Sequence, residues 1–329
     1  MIENREKLLL KLFSITNEQS HGGNWHKIIY ILGLKISFKI KDKKYYKFKN
    51  CPSSKRPEML KEWYFDCTGK SLNLENPQTF NEKIQWLKLY DSTPLKTRLA
   101  DKYLVRDWVK EKIGEEYLIP LLGVWDKFED IDFEKLPNQF VLKCNHGCGY
   151  NIIVKEKSKL NKKEAKNKTK EWLNEDFAFR FGFELQYSDI PRKIIAEKFI
   201  GKNDEEIVDY KLWCFNGKVH YIQYLTDRNI GLRMAFFNPN WEKQDFVYSY
   251  PIINETIERP NCLDKMIQLA EILSKDFNHV RVDFYITPEN EIKFGEMTFT
   301  SCSGVCDWNN PKIDIELGDL LKIPNSKEN

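Results

Sequence analysis

The sequence predicts an α+β enzyme of more than one lobe, and two patterns carry this prediction. Residues 57–113 have apolar side chains at helical spacing, as in TFNEKIQWLKLYD. From residue 117 onward, short apolar runs are separated by turn signals, which is typical of strands joined by hairpins. Two further helical patterns, over 162–177 and 263–277, interrupt these strands. Helices alternating with mostly hairpin-linked strands imply an α+β architecture.

The composition predicts a globular protein. With 329 residues, 41% hydrophobic and 14% aromatic, the chain can build a substantial buried core. No stretch approaches the roughly 20 apolar residues that a membrane-spanning helix requires. The N-terminus does not resemble a secretory signal, so we expect a cytoplasmic protein. Its eight cysteines are then expected to be free thiols.

Positive charge is concentrated at the N-terminal end. The whole chain carries +3, yet residues 1–50 alone hold eleven basic against four acidic residues. In residues 25–49 an apolar run gives way to lysines interleaved with aromatic side chains, which suits peripheral contact with an anionic membrane. A solvated basic arm or a small strand pair around SFKIK is the equal alternative. No recognised nucleic-acid-binding motif accompanies the patch, so nucleic acid is not expected as a partner.

A hairpin is predicted for VRVDFYITPENEIKFGEMTF, residues 280–299. Apolar and polar residues alternate on both sides of a PEN turn. Asp283 on the first strand and Glu296 on the second can therefore face the same space. Two carboxylates of this kind suit Mg²⁺, which prefers one or two carboxylates plus substrate phosphates. From spacing alone, an ordinary hairpin with exposed charges remains open.

The stretch VLKCNHGCGYNIIVK, residues 141–155, has three interpretations. Lys143 and the glycines 147 and 149 lie between two apolar runs and could form a phosphate-binding loop. The pair Cys144-x3-Cys148 with Cys302-x3-Cys306 could be a metal site, although its spacing departs from C-x2-C. A redox pair is disfavoured by the same spacing.

The stretch IIAEKFIG, residues 194–201, taken alone, predicts a buried strand whose polar end reaches solvent.

Six segments, taken in order along the chain, resemble motifs of the ATP-grasp superfamily: ADK, VLKCNHGCG, AEKFIG, DYKLWCFNGK, VRVDFY and FGEMTF. Three longer segments are similar to the TupA-like branch of this superfamily: NPQTFNEKIQWLKLYD, LADKYLVRDWVKEKIG and YLIPLLGVWD. This branch is associated with teichuronopeptide and bacterial surface-polysaccharide biosynthesis. The resemblance covers about residues 72–321. It implies the ATP-grasp fold, in which two α+β lobes grip ATP, here preceded by a helical region and a basic N-terminal arm.

The resemblance also implies domain boundaries. We expect the basic and aromatic arm over 1–50 and the helical N-terminal region over 51–116. The central ATP-grasp lobe with the phosphate loop would cover 117–200, the C-terminal lobe with the Mg²⁺ site 201–323, and a tail 324–329.

Residue roles follow from the same resemblance. ATP would be contacted by Lys102, Lys143, the loop His146, Gly147, Cys148 and Gly149, and the hinge Glu197, Lys198, Phe199 and Ile200. Mg²⁺ would be held by Asp283, Glu296 and Thr298, and the catalytic residues would be Arg281 and Lys211. Thr298 departs from the family pattern, because Asn is common at this position of ATP-grasp enzymes, and Cys148 replaces a Ser in the loop.

The activity implied is that of an ATP- and Mg²⁺-dependent carboxylate–amine ligase. Its partners would be ATP, a carboxylate-bearing glycan of a capsule or cell wall or its precursor, and an amino acid or small amine. It would act in the cytoplasm, with peripheral binding to the inner face of the plasma membrane as a further expectation. Two alternatives are a kinase that phosphorylates a sugar hydroxyl and a non-catalytic scaffold for polysaccharide assembly.

Overall fold

The computed structural model describes residues 13–19, 25–31, 34–39, 43–201, 207–227 and 231–323. For the first three segments, only the backbone is described. The expected tail at 324–329 lies outside the described residues, as do parts of the basic arm. Within what is described, no helix is long and apolar enough to cross a membrane.

All strand pairings within the three sheets are antiparallel. The first sheet is β1-β2-β3, formed by Phe13–Gln19, Trp25–Ile31 and Leu34–Lys39. The second has the order β4-β7-β5-β6, formed by Leu121–Trp125, Ile194–Lys198, Phe140–Cys144 and Asn151–Val154 in that order. The third has the order β10-β9-β8-β11-β12, formed by Arg233–Phe237, Lys218–Thr226, Asp209–Phe215, His279–Ile286 and Ile292–Thr298.

Eight α-helices lie in the described residues: α1 (Lys43–Lys49), α2 (Arg56–Thr68), α3 (Phe80–Tyr90), α4 (Pro94–Ala100), α5 (Val105–Lys112), α6 (Lys162–Leu173), α7 (Leu263–Ser274) and α8 (Lys312–Leu320). The two helices predicted between the strands are both present but shorter than expected. Helix α6 ends at Leu173, and a separate 3₁₀ turn covers Phe177–Phe179. Helix α7 ends at Ser274. The hydrophobic pattern continues past each end because the following aromatic residues also enter the core.

Local sequence signals explain two of the elements that position the site. Helix α3 begins with a capping box, in which Thr79 accepts from the Glu82 amide and Glu82 accepts from the Thr79 amide. The β8–β9 hairpin turns at Asn216 and Gly217, whose φ values of 49° and 75° are those of a type I′ turn. This turn pairs β8 with β9, and the other edge of β8 pairs with β11, where Lys211 lies opposite Asp283.

The core is formed by two clusters of buried side chains. One joins the four-stranded sheet to α2, α3 and α8. The other packs α7 against β8, β9 and β11 of the five-stranded sheet. Residues 25–49, expected to contact a membrane or to form an arm or strand pair, contain β2, β3 and α1. Phe48 at the end of α1 is buried in the first cluster, so the end of this helix is anchored to the body of the protein.

His279 is a buried histidine whose charge state couples stability to pH. Its Nδ1 lies 3.0 Å from the Cys214 carbonyl, which can only accept, so Nδ1 carries the hydrogen and Nε2 accepts from Ser301 Oγ at 3.3 Å. Burial lowers the pKa of His279 to about 3. The neutral form is therefore favoured in the folded protein. Its stabilisation is present above the unfolded pKa of about 6.5 and is lost as pH falls.

We expect lowering the pH from 7.5 to 5 to reduce the free energy of unfolding by about 2 kcal/mol through His279 alone. The His279→Gln variant cannot be protonated and should show a correspondingly shallower pH dependence. Urea unfolding of both proteins at the two pH values measures this difference. Equal losses in wild type and variant would contradict the assignment.

Candidate active site

The predicted hairpin over residues 280–299 is present, and Asp283 and Glu296 are directly paired across β11 and β12. On the other side, Asp283 is paired with Lys211 of β8. Residues paired in this way project from the same face of a sheet. One face of three neighbouring strands therefore carries Lys211, Asp283 and Glu296 side by side.

A β-bulge makes this pairing possible. Phe284 is paired with Phe294, whereas the preceding Asp283 is paired with Glu296, so Gly295 is an extra residue in β12. Without the bulge, Glu296 would follow Phe294 at a spacing of two and would face the hydrophobic core. Gly295 fits because a Cβ there would lie 3.1 Å from the Asp283 carbonyl oxygen and 3.0 Å from the Tyr285 ring.

Arg281 joins the two carboxylates. Its Nε and Nη2 donate to the two oxygens of Asp283 at 2.7 and 2.8 Å. The same Nη2 donates to Glu296 Oε1 at 3.0 Å and to Thr298 Oγ1 at 3.1 Å. Asp283 also accepts from Lys211 Nζ, which lies 3.5 Å from Asp209. The acidic groups are thus compensated by basic groups in a site that is largely closed to solvent.

The charges around Glu296 determine its protonation state. Burial by itself raises the pKa of this carboxyl, but Lys102, Arg281 and Lys211 together hold the pKa of Glu296 well below its usual range. Its Oε2 lies 3.4 Å from Lys102 Nζ, and its Oε1 accepts from the Thr298 hydroxyl at 2.9 Å. Glu296 is therefore ionised throughout the physiological pH range.

These residues fit a bound Mg²⁺. The carboxylates of Asp283 and Glu296 converge on one positive group, the Arg281 guanidinium, and the Thr298 hydroxyl lies beside them. Carboxylate and hydroxyl oxygens are the ligands that Mg²⁺ prefers. Among the described residues, no cluster of three or more His, Cys, Asp or Glu side chains is arranged to hold a metal. A cation here would thus take two carboxylates and complete its shell elsewhere, as Mg²⁺ does with phosphates and water.

The glycine loop connects β5 to β6 and is closed by a hydrogen bond from the Cys144 amide to the Tyr150 carbonyl at 2.9 Å. Gly147 is required by packing, because a Cβ would lie 2.6 Å from the Tyr150 ring and 2.8 Å from Phe177. Gly149 has φ +74°, a conformation that disfavours other residues. The loop backbone is therefore fixed in an unusual path.

Lys102 links this loop to the acidic cluster. Its Nζ donates to the Gly147 carbonyl at 2.7 Å and lies 3.4 Å from Glu296. The position of Lys102 is set by its neighbour Asp101, which accepts from the Tyr103 amide at 2.7 Å and from Asn145 Nδ2 at 2.9 Å. One ammonium group thus connects the four-stranded and five-stranded sheets at the base of the loop.

His146 and Cys148 occupy opposite environments in the loop. The His146 ring is buried, and its Nε2 lies 3.0 Å from the Trp172 carbonyl. Burial lowers the pKa of His146 to about 4, so the ring is neutral and anchors the loop to α6. Only its backbone remains for a ligand. Cys148 is exposed, and the pKa of its thiol is raised by burial of the sulfur among surrounding protein atoms and by nearby Glu296.

Lys143 and the hinge form a second charged group. Glu197 accepts from Lys143 Nζ at 2.6 Å and from Arg106 Nη1 at 3.2 Å. Lys198, which follows it, is exposed, and its amide donates to the Pro120 carbonyl at 2.9 Å. Phe199 and Ile200 are half-buried at the end of the described segment.

The cysteines differ in their exposure to solvent. All eight are free, with Cys144 buried under the loop and Cys148 exposed at its tip. In the described chain no cluster of three or more metal-binding side chains includes them.

Sequence reasoning did not identify three residues of this site: Asp101, Arg106 and Asn145. Asp101 and Asn145 lie inside the motifs ADK and VLKCNHGCG, so these motifs contained a signal for them. Arg106 had no such signal, because its partner Glu197 is distant in sequence.

The chain combines antiparallel sheets, a glycine loop between two strands and paired carboxylates on a second sheet, an arrangement that fits the class of ATP-grasp enzymes. More particularly, a family model described as TupA-like ATPgrasp matches residues 82–322. That match covers well over half of the chain, which therefore belongs to the TupA-like ATP-grasp family. The predicted family and fold are confirmed.

Solved structures are similar to this chain at low sequence identity. The L-amino acid ligase from Bacillus licheniformis is 16% identical, with a TM-score of 0.45 over 76% of this chain and 57% of its own. A RiPP-associated ATP-grasp ligase from Chryseobacterium gregarium is 12% identical, with a TM-score of 0.35 over 95% and 86%. N5-carboxyaminoimidazole synthetase from Staphylococcus aureus is 15% identical, with a TM-score of 0.34 over 61% of this chain. This chain spans only 44% of that synthetase. Among proteins with curated descriptions, none matches.

Replacing the Glu197 carboxylate tests the second charged group. In Glu197→Gln, the half-buried Lys143 and Arg106 lose their counter-charge, which is itself buried, and we expect the free energy of unfolding to fall by about 3 kcal/mol. Glu115→Gln is the matched control, because Glu115 pairs with Lys110 on the surface, and its loss should leave the free energy of unfolding close to that of the wild type. Urea unfolding at neutral pH measures both values. Equal effects would contradict a buried ion-pair role for Glu197.

Proposed function

We propose that this chain is an ATP- and Mg²⁺-dependent carboxylate–amine ligase. The observation that supports this best is the face shared by Lys211, Arg281, Asp283 and Glu296, which Lys102 connects to a glycine loop. Such a site combines ligands for a divalent cation with basic groups for phosphate. Phosphoryl transfer requires mainly positioning and neutralisation of charge, which these groups supply.

In this proposal the nucleotide lies between the two sheets. Lys102 and Lys143 bind phosphate oxygens, and backbone groups of the loop 146–149 cover them. The adenine is held by the hinge 197–200, with Glu197 near the purine or ribose. Asp283, Glu296 and Thr298 hold Mg²⁺, which when bound neutralises phosphate charge and orients the transferred group. Anionic phosphates compete with the carboxylates that now pair with these lysines.

The reaction has two steps. A carboxylate oxygen of the acceptor attacks the γ-phosphorus of ATP, so that an acyl phosphate forms and ADP leaves. An amine then attacks the acyl carbon, releasing phosphate and a proton and forming an amide. Arg281 and Lys211 stabilise negative charge on the phosphoryl group during the first step. No nucleophilic side chain is needed.

The acceptor that we propose is a uronic-acid unit of a capsular or cell-wall glycan or its precursor, and the amine is an amino acid or small amine. This choice is supported by the likeness to the branch associated with teichuronopeptide and surface polysaccharides. We further propose that the enzyme acts in the cytoplasm, with the basic segment 25–49 contacting the inner face of the membrane.

A substrate screen tests the reaction type. Purified protein is incubated with ATP, Mg²⁺, uronic-acid oligosaccharides and a pool of amino acids, and products are weighed by mass spectrometry. We expect the acceptor to gain the mass of an amine less one water, and ADP to form in equal amount. Asp283→Asn should reduce the rate at least about 100-fold, because one metal-binding charge is lost. A product that gains phosphate instead would establish a kinase, and an inactive wild type would favour a scaffold.

Cys148 provides a test of nucleotide binding that needs no acceptor. Its thiol lies on the loop that would cover the phosphates, so Mg·ADP should slow its alkylation by iodoacetamide at least about tenfold. Because the pKa of this thiol is raised, labelling is done at pH 8.5, where more of the thiol is ionised than at neutral pH. Cys262, at the start of the remote helix α7, is the internal control and should be labelled equally with and without nucleotide. Unprotected Cys148 in wild type would contradict the proposed nucleotide site.

A further inference from the structure

One face of helix α3 binds the backbone of the segment that follows β12. Asn81, Gln85 and Lys88 are all buried, and their spacing places them on one side of the helix. Asn81 exchanges two hydrogen bonds of 2.9 Å with the backbone of Cys306. Gln85 Nε2 donates to the carbonyls of Ser303 and Gly304 at 2.9 and 2.7 Å.

Lys88 is an unusual member of this face. Its ammonium is completely buried and donates to the carbonyls of Ser303 at 2.6 Å and Phe181 at 2.9 Å, and to Gln85 Oε1 at 3.1 Å. It also lies 4.4 Å from the centre of the Trp63 ring. Burial lowers the pKa of Lys88 to about 7, and the charge of Glu184 opposes this shift. Burying an ammonium is costly unless hydrogen bonds compensate it, and here three oxygen acceptors do so.

The bound segment has a strained backbone. Cys302, Ser303 and Gly304 have φ values of 50°, 53° and 64°, three consecutive residues in the left-handed region. Two of them are not glycine, and a non-glycine residue in this region is disfavoured unless its surroundings impose the conformation. A Cβ on Gly304 would lie 2.5 Å from Gln85 Nε2, so the helix and the loop are in direct contact.

A second set of residues holds the start of the same loop. Thr300 donates its hydroxyl hydrogen to buried Glu184, and Gln186 Nε2 donates to Thr300 Oγ1 at 2.9 Å. The loop is therefore fixed between helix α3 and the segment 184–187.

The loop lies next to the reacting groups. Its first residue, Ser301, follows Thr298 by three positions. The Ser301 hydroxyl donates to Nε2 of His279 at 3.3 Å, and His279 lies on β11 two residues before Arg281. Arg281 is one of the two side chains proposed to stabilise the transferred phosphoryl group. The loop thus borders the end of the site at which an acceptor carboxylate must approach.

We propose that Lys88 and Gln85 are positioning residues that hold loop 301–304 in its left-handed conformation, so that the loop forms the wall against which the acceptor carboxylate is placed. This inference rests on the proposed ligase function. It assigns a role to the motif NPQTFNEKIQWLKLYD, residues 76–91, whose helix supplies both side chains. The two residues act through the loop and do not touch the nucleotide.

The conformation of the loop can be measured by alkylation of Cys302, followed by mass spectrometry. In Lys88→Met and in Gln85→Met, loss of a buried hydrogen bond should increase local opening and raise the Cys302 labelling rate about tenfold. For a carboxylate that gives turnover in the substrate screen, its KM should rise in both variants while the KM for ATP stays unchanged. If Lys88→Met does not fold, Gln85→Met alone carries the test.

Lys83→Met is the matched control. Lys83 lies on the same helix and donates to two carbonyls, those of Gly318 and Leu321 at 2.8 and 3.0 Å, but these belong to α8 and the residue after it. This variant should leave Cys302 labelling unchanged. Unchanged labelling in Lys88→Met and Gln85→Met, or an equal increase in Lys83→Met, would overturn the positioning role. Failure of Mg·ADP to protect Cys148 in wild type would instead overturn the proposed function, and the Cys302 rates would still decide whether the loop is clamped.

Discussion

The site depends on one guanidinium group held between two carboxylates. Arg281 binds Asp283 through two parallel hydrogen bonds and reaches Glu296 across the strand pair. Asp283 is almost fully buried, and an unpaired charge at that depth would cost several kcal/mol. The register of β8 places Lys211 beside Asp283, and the register of β12 places Glu296 within reach of Arg281, so the charges of the site balance in this arrangement of the three strands.

The other basic side chains of the candidate site are likewise paired with carboxylates. Lys102 is matched to Glu296, Lys143 and Arg106 to Glu197, and Lys211 to Asp209 and Asp283. Basic groups that are preorganised in this way need little rearrangement when phosphate charge arrives. The acidic partners must then exchange their cations, and in the proposed function Mg²⁺ takes the place of a basic side chain beside Asp283 and Glu296.

The sequence predicted those features that depend on nearby residues. The alternation around the PEN turn predicted the hairpin with Asp283 and Glu296, and the glycine pattern predicted a loop between two strands. Partners distant along the chain could not be predicted, because no local pattern connects Arg106 with Glu197 or Lys88 with Ser303. The orientation of His146 was equally inaccessible, since it depends on the Trp172 carbonyl of another element. Family resemblance supplied the roles of Lys102 and Lys143, which spacing alone left open.

The bulge at Gly295 has a consequence for how such a site can change during evolution. Side chains alternate along a regular strand, so Glu296, two residues after Phe294, would lie on the core face if the bulge were straightened with all residues kept. Deleting Gly295 would instead remove the bulge and leave Glu296 opposite Asp283. The carboxylate can therefore keep its face through a change in strand length, but not through a change that straightens β12 at constant length.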